Sequence, residues 1–282
     1  MPQKDFPVIP PDRADDFHNL EIADSSDLVL FMAGNQFMAM EEIISAFQQE
    51  YPEVKRIFYE TLPPGLELKQ ILAGGAVFRD KTLDIYPDIY TSVNENGMKI
   101  LERSGHINND EYHLYLHNRL SLMVQEGNPA NINSVADMGR DDVRISQPDP
   151  ENEDIAFHIM DMYRQAGGNS LVHRIMEEKR AEGTTILTIV HHRETPLRIS
   201  KKTVDIGPVW NTEVIHARSC GLAFDVVEPG KELDQRDKIN YYVCKLSNAP
   251  HQENAQKFLD FITSSAQQIY KKYGFLPHLN LS

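Results

Sequence analysis

Strand signals alternate with helix signals along most of this 282-residue chain, which predicts an α/β fold built on parallel strands. Three stretches carry that reading. Asp27-Leu-Val-Leu-Phe-Met-Ala33 is a short apolar run of buried-strand type closed by Gly34-Asn35, and Met40, Ile43, Ile44 and Phe47 then recur at helical spacing up to Tyr51-Pro52. Arg56-Ile-Phe-Tyr59 repeats the strand, Glu60 to Gly65 the turn, and Leu66 to Ala73 the helix. In the second half Val143-Arg-Ile-Ser146 leads through Gln147-Pro-Asp-Pro-Glu-Asn152 into an amphipathic helix marked by Ile155, Ile159, Met162 and Tyr163.

Composition sets the outer limits. With 41% hydrophobic residues the chain can bury one large core or two modest ones, and its length favours two lobes. The formal charge of −14 argues against nucleic acid or an anionic membrane as partner, because either would need a basic face. No window approaches the roughly 20 apolar residues of a membrane span, and the first 20 residues are polar and proline-rich, unlike a signal h-region. An exported form would therefore have lost its leader already. The two cysteines, Cys220 and Cys244, permit one disulfide and no cysteine-only metal site.

The remaining elements follow in order. Asn35 falls at or near the start of the first helix, and Pro63 and Pro64 suit the first turn of the second, where a missing N–H costs nothing. Asp84 to Tyr90 reads as a third strand and turn, and Asn94 to Ser104 as a third helix. Arg119 to Val124 is a strand, Ser134 to Asp137 a short capped helix, and Gly167-Gly168 separates the amphipathic helix from a charged one over Asn169 to Ala181. Ile239 to Leu246 is a strand, and Glu253 to Thr263 a helix with Phe258, Leu259 and Ile262 on one face.

The most concentrated chemistry lies in Thr188-Ile-Val-His-His-Arg-Glu-Thr-Pro196, followed by Val204-Asp-Ile-Gly-Pro-Val-Trp210. An apolar run ending in two histidines, an arginine and a carboxylate, with Pro196 to stop the ladder, reads as a strand whose polar end forms the rim of a site. In open α/β sheets ligands bind beyond the carboxyl ends of strands.

The order of these pieces resembles the solute-binding proteins of bacterial ABC importers, and within them the molybdate- and tungstate-binding group. The matching stretches are Leu30 to Asn35, Tyr86 to Tyr90, Leu120 to Val124, Gln147 to Glu151, Val204 to Trp210, Glu253 to Phe261 and Tyr273 to Phe275. The resemblance implies a type II periplasmic binding protein fold, two Rossmann-like lobes with a ligand cleft between them, residues 1–118 plus 219–282 forming one lobe and 119–218 the other. It further implies a periplasmic, non-enzymatic protein without a cofactor, which closes on a small anionic ligand and delivers it to an ABC permease, or reports it to a membrane sensor kinase. Export to an oxidising compartment would favour a Cys220–Cys244 disulfide.

Carried over by position, the ligand contacts fall on Asn35, Gln36, Thr61, Asn152, His191, His192, Arg193, Glu194, Thr195 and Trp210. Neutral N–H groups at helix starts, short polar side chains and an arginine fork can hold an oxyanion in a net negative protein. Glu194 departs from a site for a fully ionised dianion. It points towards a ligand carrying a proton, such as arsenate, phosphate or a small organic acid, rather than molybdate or tungstate. Plainer readings stand beside these: Asn35 and Thr61 as helix caps, Arg193 with Glu194 as a surface ion pair, and Trp210 as core. A metal-dependent hydrolase would use the same histidines and carboxylates, but no His-Glu-x-x-His, Gly-x-Ser-x-Gly or Gly-x-x-x-x-Gly-Lys motif is present.

Overall fold

The three predicted strand–turn–helix repeats of the first half form the centre of a seven-stranded sheet. The structure, a computed structural model, describes residues 6–278 other than residue 152, and the backbone but not the side chains of His191 and His192. The chain divides into two compact units, Met1–His117 with Asn240–Ser282, and Asn118–Ile239.

In the first unit the strand order is Leu276–Pro277, Tyr112–His117, Asn240–Lys245, Ile89–Ser92, Leu28–Phe31, Ile57–Glu60 and Phe17–His18. Leu28–Phe31 lies parallel between Ile57–Glu60 and Ile89–Ser92. All three of these strands are buried along their whole length, which is why they read as continuous rather than alternating runs. Each returns through a helix: Phe37–Glu50, Pro64–Ala73 and Glu95–Arg103. Asn94 caps the third by accepting from Gly97 N–H at 3.2 Å. Pro64 opens the second, and Gly74, at φ 73°, closes it in the left-handed region that favours glycine. Phe47 packs edge-on against Phe258 at 5.1 Å between ring centres, so the first helix and the helix Gln252–Thr263 share one core. A separate three-stranded sheet joins Val8–Ile9, Ala76–Phe78 and Lys81–Leu83.

The second unit holds a five-stranded sheet in the order Thr185–Thr188, Ile145–Pro148, Ile206–Trp210, Leu120–Val124 and Asp225–Val227. The first three are parallel and the last two antiparallel to their neighbours. Met123, Ile199, Val204, Val209 and Val214 form a buried cluster in this unit. The helix Ile155–His173 breaks at Gly167-Gly168, where Gly168 takes φ 70°, as the paired glycines predict.

Three expectations are corrected. Residues 219–239 group with the second unit rather than with the C-terminal segment, because Asp225–Val227 pairs with Leu120–Val124. The His191–Pro196 segment does not end a strand. The strand stops at Thr188 and His191–Ser200 is a helix with Pro196 inside it. The cysteines do not pair: both are free, Cys244 buried in the first unit's sheet and Cys220 exposed after the helix Asn211–Ser219 of the second. Burial pushes the Cys244 thiol well above its ordinary pKa, so it stays protonated. We predict that a thiol reagent titrates one cysteine in the native protein and two in denaturant without reductant; two reactive thiols in the native state would show that Cys244 is not sequestered.

Candidate functional site

The carboxyl ends of the adjacent parallel strands Leu28–Phe31 and Ile57–Glu60 lead directly into the turns that hold Asn35 and Thr61. Gly34 sits against the backbone beyond the neighbouring strand: a Cβ there would lie 3.0 Å from the Thr61 carbonyl oxygen, so the two turns are in close contact. Asn35 does not cap its helix, whose start has no side-chain cap. Its Nδ2 instead donates to the Tyr241 hydroxyl, while Oδ1 is buried without a partner. Thr61 Oγ1 is likewise buried and unpartnered. Leaving a buried polar atom unpaired costs about 1–3 kcal/mol, and these two lie in adjacent turns.

Gln36 belongs to a different set. It is fully buried, its Oε1 accepts from the hydroxyls of Tyr115 at 2.7 Å and Tyr270 at 2.6 Å, and its Nε2 donates to Thr91 Oγ1 at 3.0 Å. Thr91 Oγ1 also accepts from Ala33 N–H at 2.7 Å. This network ties four segments together and leaves Gln36 a framework residue. The tyrosines and Thr91 escape a reading of sequence because their partners lie far away in the chain.

Beside Thr61 stands Glu60, 1% exposed, with Gln70 Nε2 donating to its Oε1 at 2.6 Å. Burial raises its pKa to about 8, with the Asp16 carboxylate adding to the rise.

In the second unit Asp149 shapes the turn after Ile145–Pro148, its Oδ1 accepting from Glu151 N–H at 3.0 Å. Asn152, expected in this turn, lies outside the described residues. Glu194 reaches back to accept from the N–H groups of Ile189 and, at 2.7 Å, Val190, closing the start of the helix His191–Ser200. It also pairs with Arg198 at 2.8 Å. This carboxylate is therefore engaged by its own helix, which explains why the segment is helical and removes the ground for expecting a protonated ligand. Arg193, half-buried in the first turn, bonds through its N–H to the Val190 carbonyl at 3.1 Å.

Thr195 is fully buried with Oγ1 2.8 Å from Ser146 Oγ, and its Cγ2 would lie 2.3 Å from a Cβ at Gly207. Only glycine lets the helix approach the Ile206–Trp210 strand so closely. Arg198 Nη1 donates to the carbonyls of Ile186 and Leu187, each at 3.1 Å, on the edge strand Thr185–Thr188. Sequence reading passed over Arg198, whose spacing from Glu194 is the signal of a helical i,i+4 pair. Trp210, 4% exposed, ends its strand with its ring 5.9 Å from that of His158. Burial pushes the His158 imidazole down to about 4, so it is neutral at physiological pH. Among the described residues no cluster of three or more metal-ligating side chains occurs.

Residues 28–276 match the sequence profile described as bacterial extracellular solute-binding protein. The chain belongs to this family. Three solved structures share the fold of this solute-binding protein. The periplasmic molybdate-binding protein of Azotobacter vinelandii has a TM-score of 0.70 at 15% identity, over 88% of this chain and 98% of that one. The sulfate-binding protein SubI of Mycobacterium tuberculosis has 0.69 at 17%, over 90% and 86%. The substrate-binding domain of a putative molybdenum ABC transporter from Clostridium difficile has 0.62 at 18%, over 88% and 97%. No curated protein sequence matches the chain. Among the described residues no helix is long and apolar enough to cross a membrane.

Two outcomes are expected of this solute-binding protein without ligand. Gln36→Leu strands two buried tyrosine hydroxyls and should lower unfolding stability by about 2–4 kcal/mol in urea titration; an unchanged midpoint would remove Gln36 from the framework. Glu60 has a folded pKa raised above its unfolded value near 4.5, so its contribution is fully present below that value and is lost as pH rises through about 8. Melting temperature should therefore fall between about pH 5 and 8 more steeply in wild type than in Glu60→Gln, and parallel curves would refute the shift.

Proposed function

We propose that this solute-binding protein captures a small oxyanion outside the cytoplasm and delivers it to an ABC permease. The observation that carries the reading is the pair of buried, unpartnered polar atoms, Asn35 Oδ1 and Thr61 Oγ1, in touching turns at the carboxyl ends of adjacent parallel strands. A threonine hydroxyl donates readily to an anion. The Tyr241 hydroxyl can donate or accept, so half a turn of the Asn35 amide presents its NH2 group at the open position instead of its carbonyl. Neutral donors of this kind hold an oxyanion without a neutralising cation.

Fold neighbours named for molybdate and sulfate support a fully ionised tetrahedral oxyanion. So does the engagement of Glu194 by the Ile189 and Val190 N–H groups, which leaves no carboxylate to demand a ligand proton at that turn. Tungstate belongs to the same fully ionised class, whereas arsenate and phosphate are tetrahedral oxyanions that keep a proton near neutrality. In the second unit Arg193, in the first turn of the helix His191–Ser200, is the charged group proposed as a ligand contact, with Thr195 seating that helix against the sheet and Trp210 ending a neighbouring strand.

Isothermal titration with molybdate, tungstate, sulfate, phosphate and arsenate tests the reading directly, and binding of none of them would overturn it. Thr61→Val should weaken binding of the preferred anion about tenfold, near 1.4 kcal/mol, while leaving the ligand-free melting temperature unchanged or slightly higher, because the hydroxyl it removes has no partner. Arg193→Lys should cost a similar factor, since lysine lacks the bidentate fork. Unaltered affinity in Arg193→Lys would make that arginine a surface group.

A further inference from the structure

Glu60 and Thr61 are consecutive, the carboxyl buried and the hydroxyl unpartnered, at the strand end read above as an anion site. Among the described residues no cation is in hydrogen-bond contact with the Glu60 carboxyl; the hydrogen bond to it comes from the neutral Gln70 amide at 2.6 Å. From the N-terminal turn Pro11–Asp16 the nearest charged group is Asp16, 1% exposed, whose own carboxylate lies 3.4 Å from the Arg13 guanidinium. The helix Pro64–Ala73 adds a second acid, Glu67, fully buried, with Oε1 accepting from Leu62 N–H at 3.2 Å. Arginine therefore sits with Asp16, a backbone N–H with Glu67, and only an amide with Glu60. Two buried acids that repel one another, Glu60 and Asp16, cannot both ionise cheaply, and burial with only an amide donor favours the proton on Glu60.

We propose that Glu60 is held as the uncharged acid at neutral pH, and that its ionisation switches off anion capture at the Asn35 and Thr61 strand ends, making capture proton-linked. The inference rests on the oxyanion reading above. A carboxylate formed one residue from Thr61 is poorly screened, and it repels an anion held by the Thr61 hydroxyl. By reciprocity the bound anion holds the proton on Glu60. The direction of the pKa shift agrees with this geometry. The arrangement also sets sign selectivity: a protonated Glu60 admits an anion where an ionised one would favour a cation.

The experiment is isothermal titration of molybdate and of sulfate, neither of which titrates near neutrality, at about pH 6.5 and about pH 9.5. Wild type should lose at least about tenfold in affinity between the two, and Glu60→Gln, which mimics the uncharged acid, should bind like wild type at the lower pH and change less than about twofold. Repeating the wild-type titration near pH 8 in buffers of different ionisation enthalpy should reveal net proton uptake on binding, a readout that needs no variant. If the anions bind with no pH dependence and no proton uptake, the switch is overturned and the oxyanion reading stands. If neither anion binds at either pH, the switch as stated for these anions is overturned, and the oxyanion reading falls with it only if tungstate, phosphate and arsenate also fail to bind.

Discussion

Parallel strands leave backbone groups without ladder partners at their carboxyl ends, and much of the chemistry at these strand ends answers that constraint. The turns satisfy the N–H groups from within. Thr91 takes Ala33 N–H, Glu67 takes Leu62 N–H, the Asp16 carbonyl takes Thr61 N–H, and Glu194 takes those of Ile189 and Val190. Among the described residues, side-chain atoms left without a partner at these strand ends are Asn35 Oδ1 and Thr61 Oγ1 in the first unit and Thr188 Oγ1 at the end of Thr185–Thr188 in the second. A strand end with all its polar groups paired is framework, and the reading proposed above rests on the two in the first unit that are not.

A chain of formal charge −14 that binds an anion must keep its own carboxylates from the site. Three devices for this are visible. Asp205 and Asp88 lie at the amino ends of their strands, opposite the polar carboxyl ends, where Asp205 is locked to Arg144 by paired contacts at 2.8 and 3.0 Å and Asp88 is held by His251 and two backbone N–H groups. Glu194 spends its charge on its own helix start and on Arg198. Glu60, given only an amide, is favoured as the neutral acid. Carboxylates near strand ends are thus either engaged by local donors or favoured as the neutral acid, which makes the proposed anion capture by neutral groups compatible with an acidic protein.

The misreading of His191–Pro196 is instructive because each local signal was sound. Apolar residues do precede the histidines, and proline does remove a ladder donor. The deciding contacts are the Glu194 carboxylate folding back on Ile189 and Val190, and Thr195 inserting beside Ser146 and Gly207. The second of these joins residues far apart in the chain, and burial of Thr195 and Ile199 against the sheet outweighs the hydrogen bond lost at Pro196. The extent of the second unit turned on a similar point. Asp225-Val-Val227 has no strand signature of its own strong enough to name its partner, and only the pairing with Leu120–Val124 assigns it.

By itself the sequence determined what depends on neighbours along the chain: the buried strand runs Leu28–Phe31, Ile57–Glu60 and Leu120–Val124, the helix starts at Pro64 and after Asn94, the break at Gly167-Gly168, and hence the α/β class and the strand ends where polar groups gather. Apolar periodicity, caps and left-handed glycines are local physics, legible in a window of ten to twenty residues. Tertiary structure alone decided that Gln36 is framework while Asn35 and Thr61 are open, that Glu194 caps rather than contacts, that Glu60 shares a dry region with Asp16, and that Cys220 and Cys244 stay apart. Whether a polar side chain is satisfied, charged or available depends on which distant groups the fold brings within about 3 Å of it, and spacing along the chain does not carry that information.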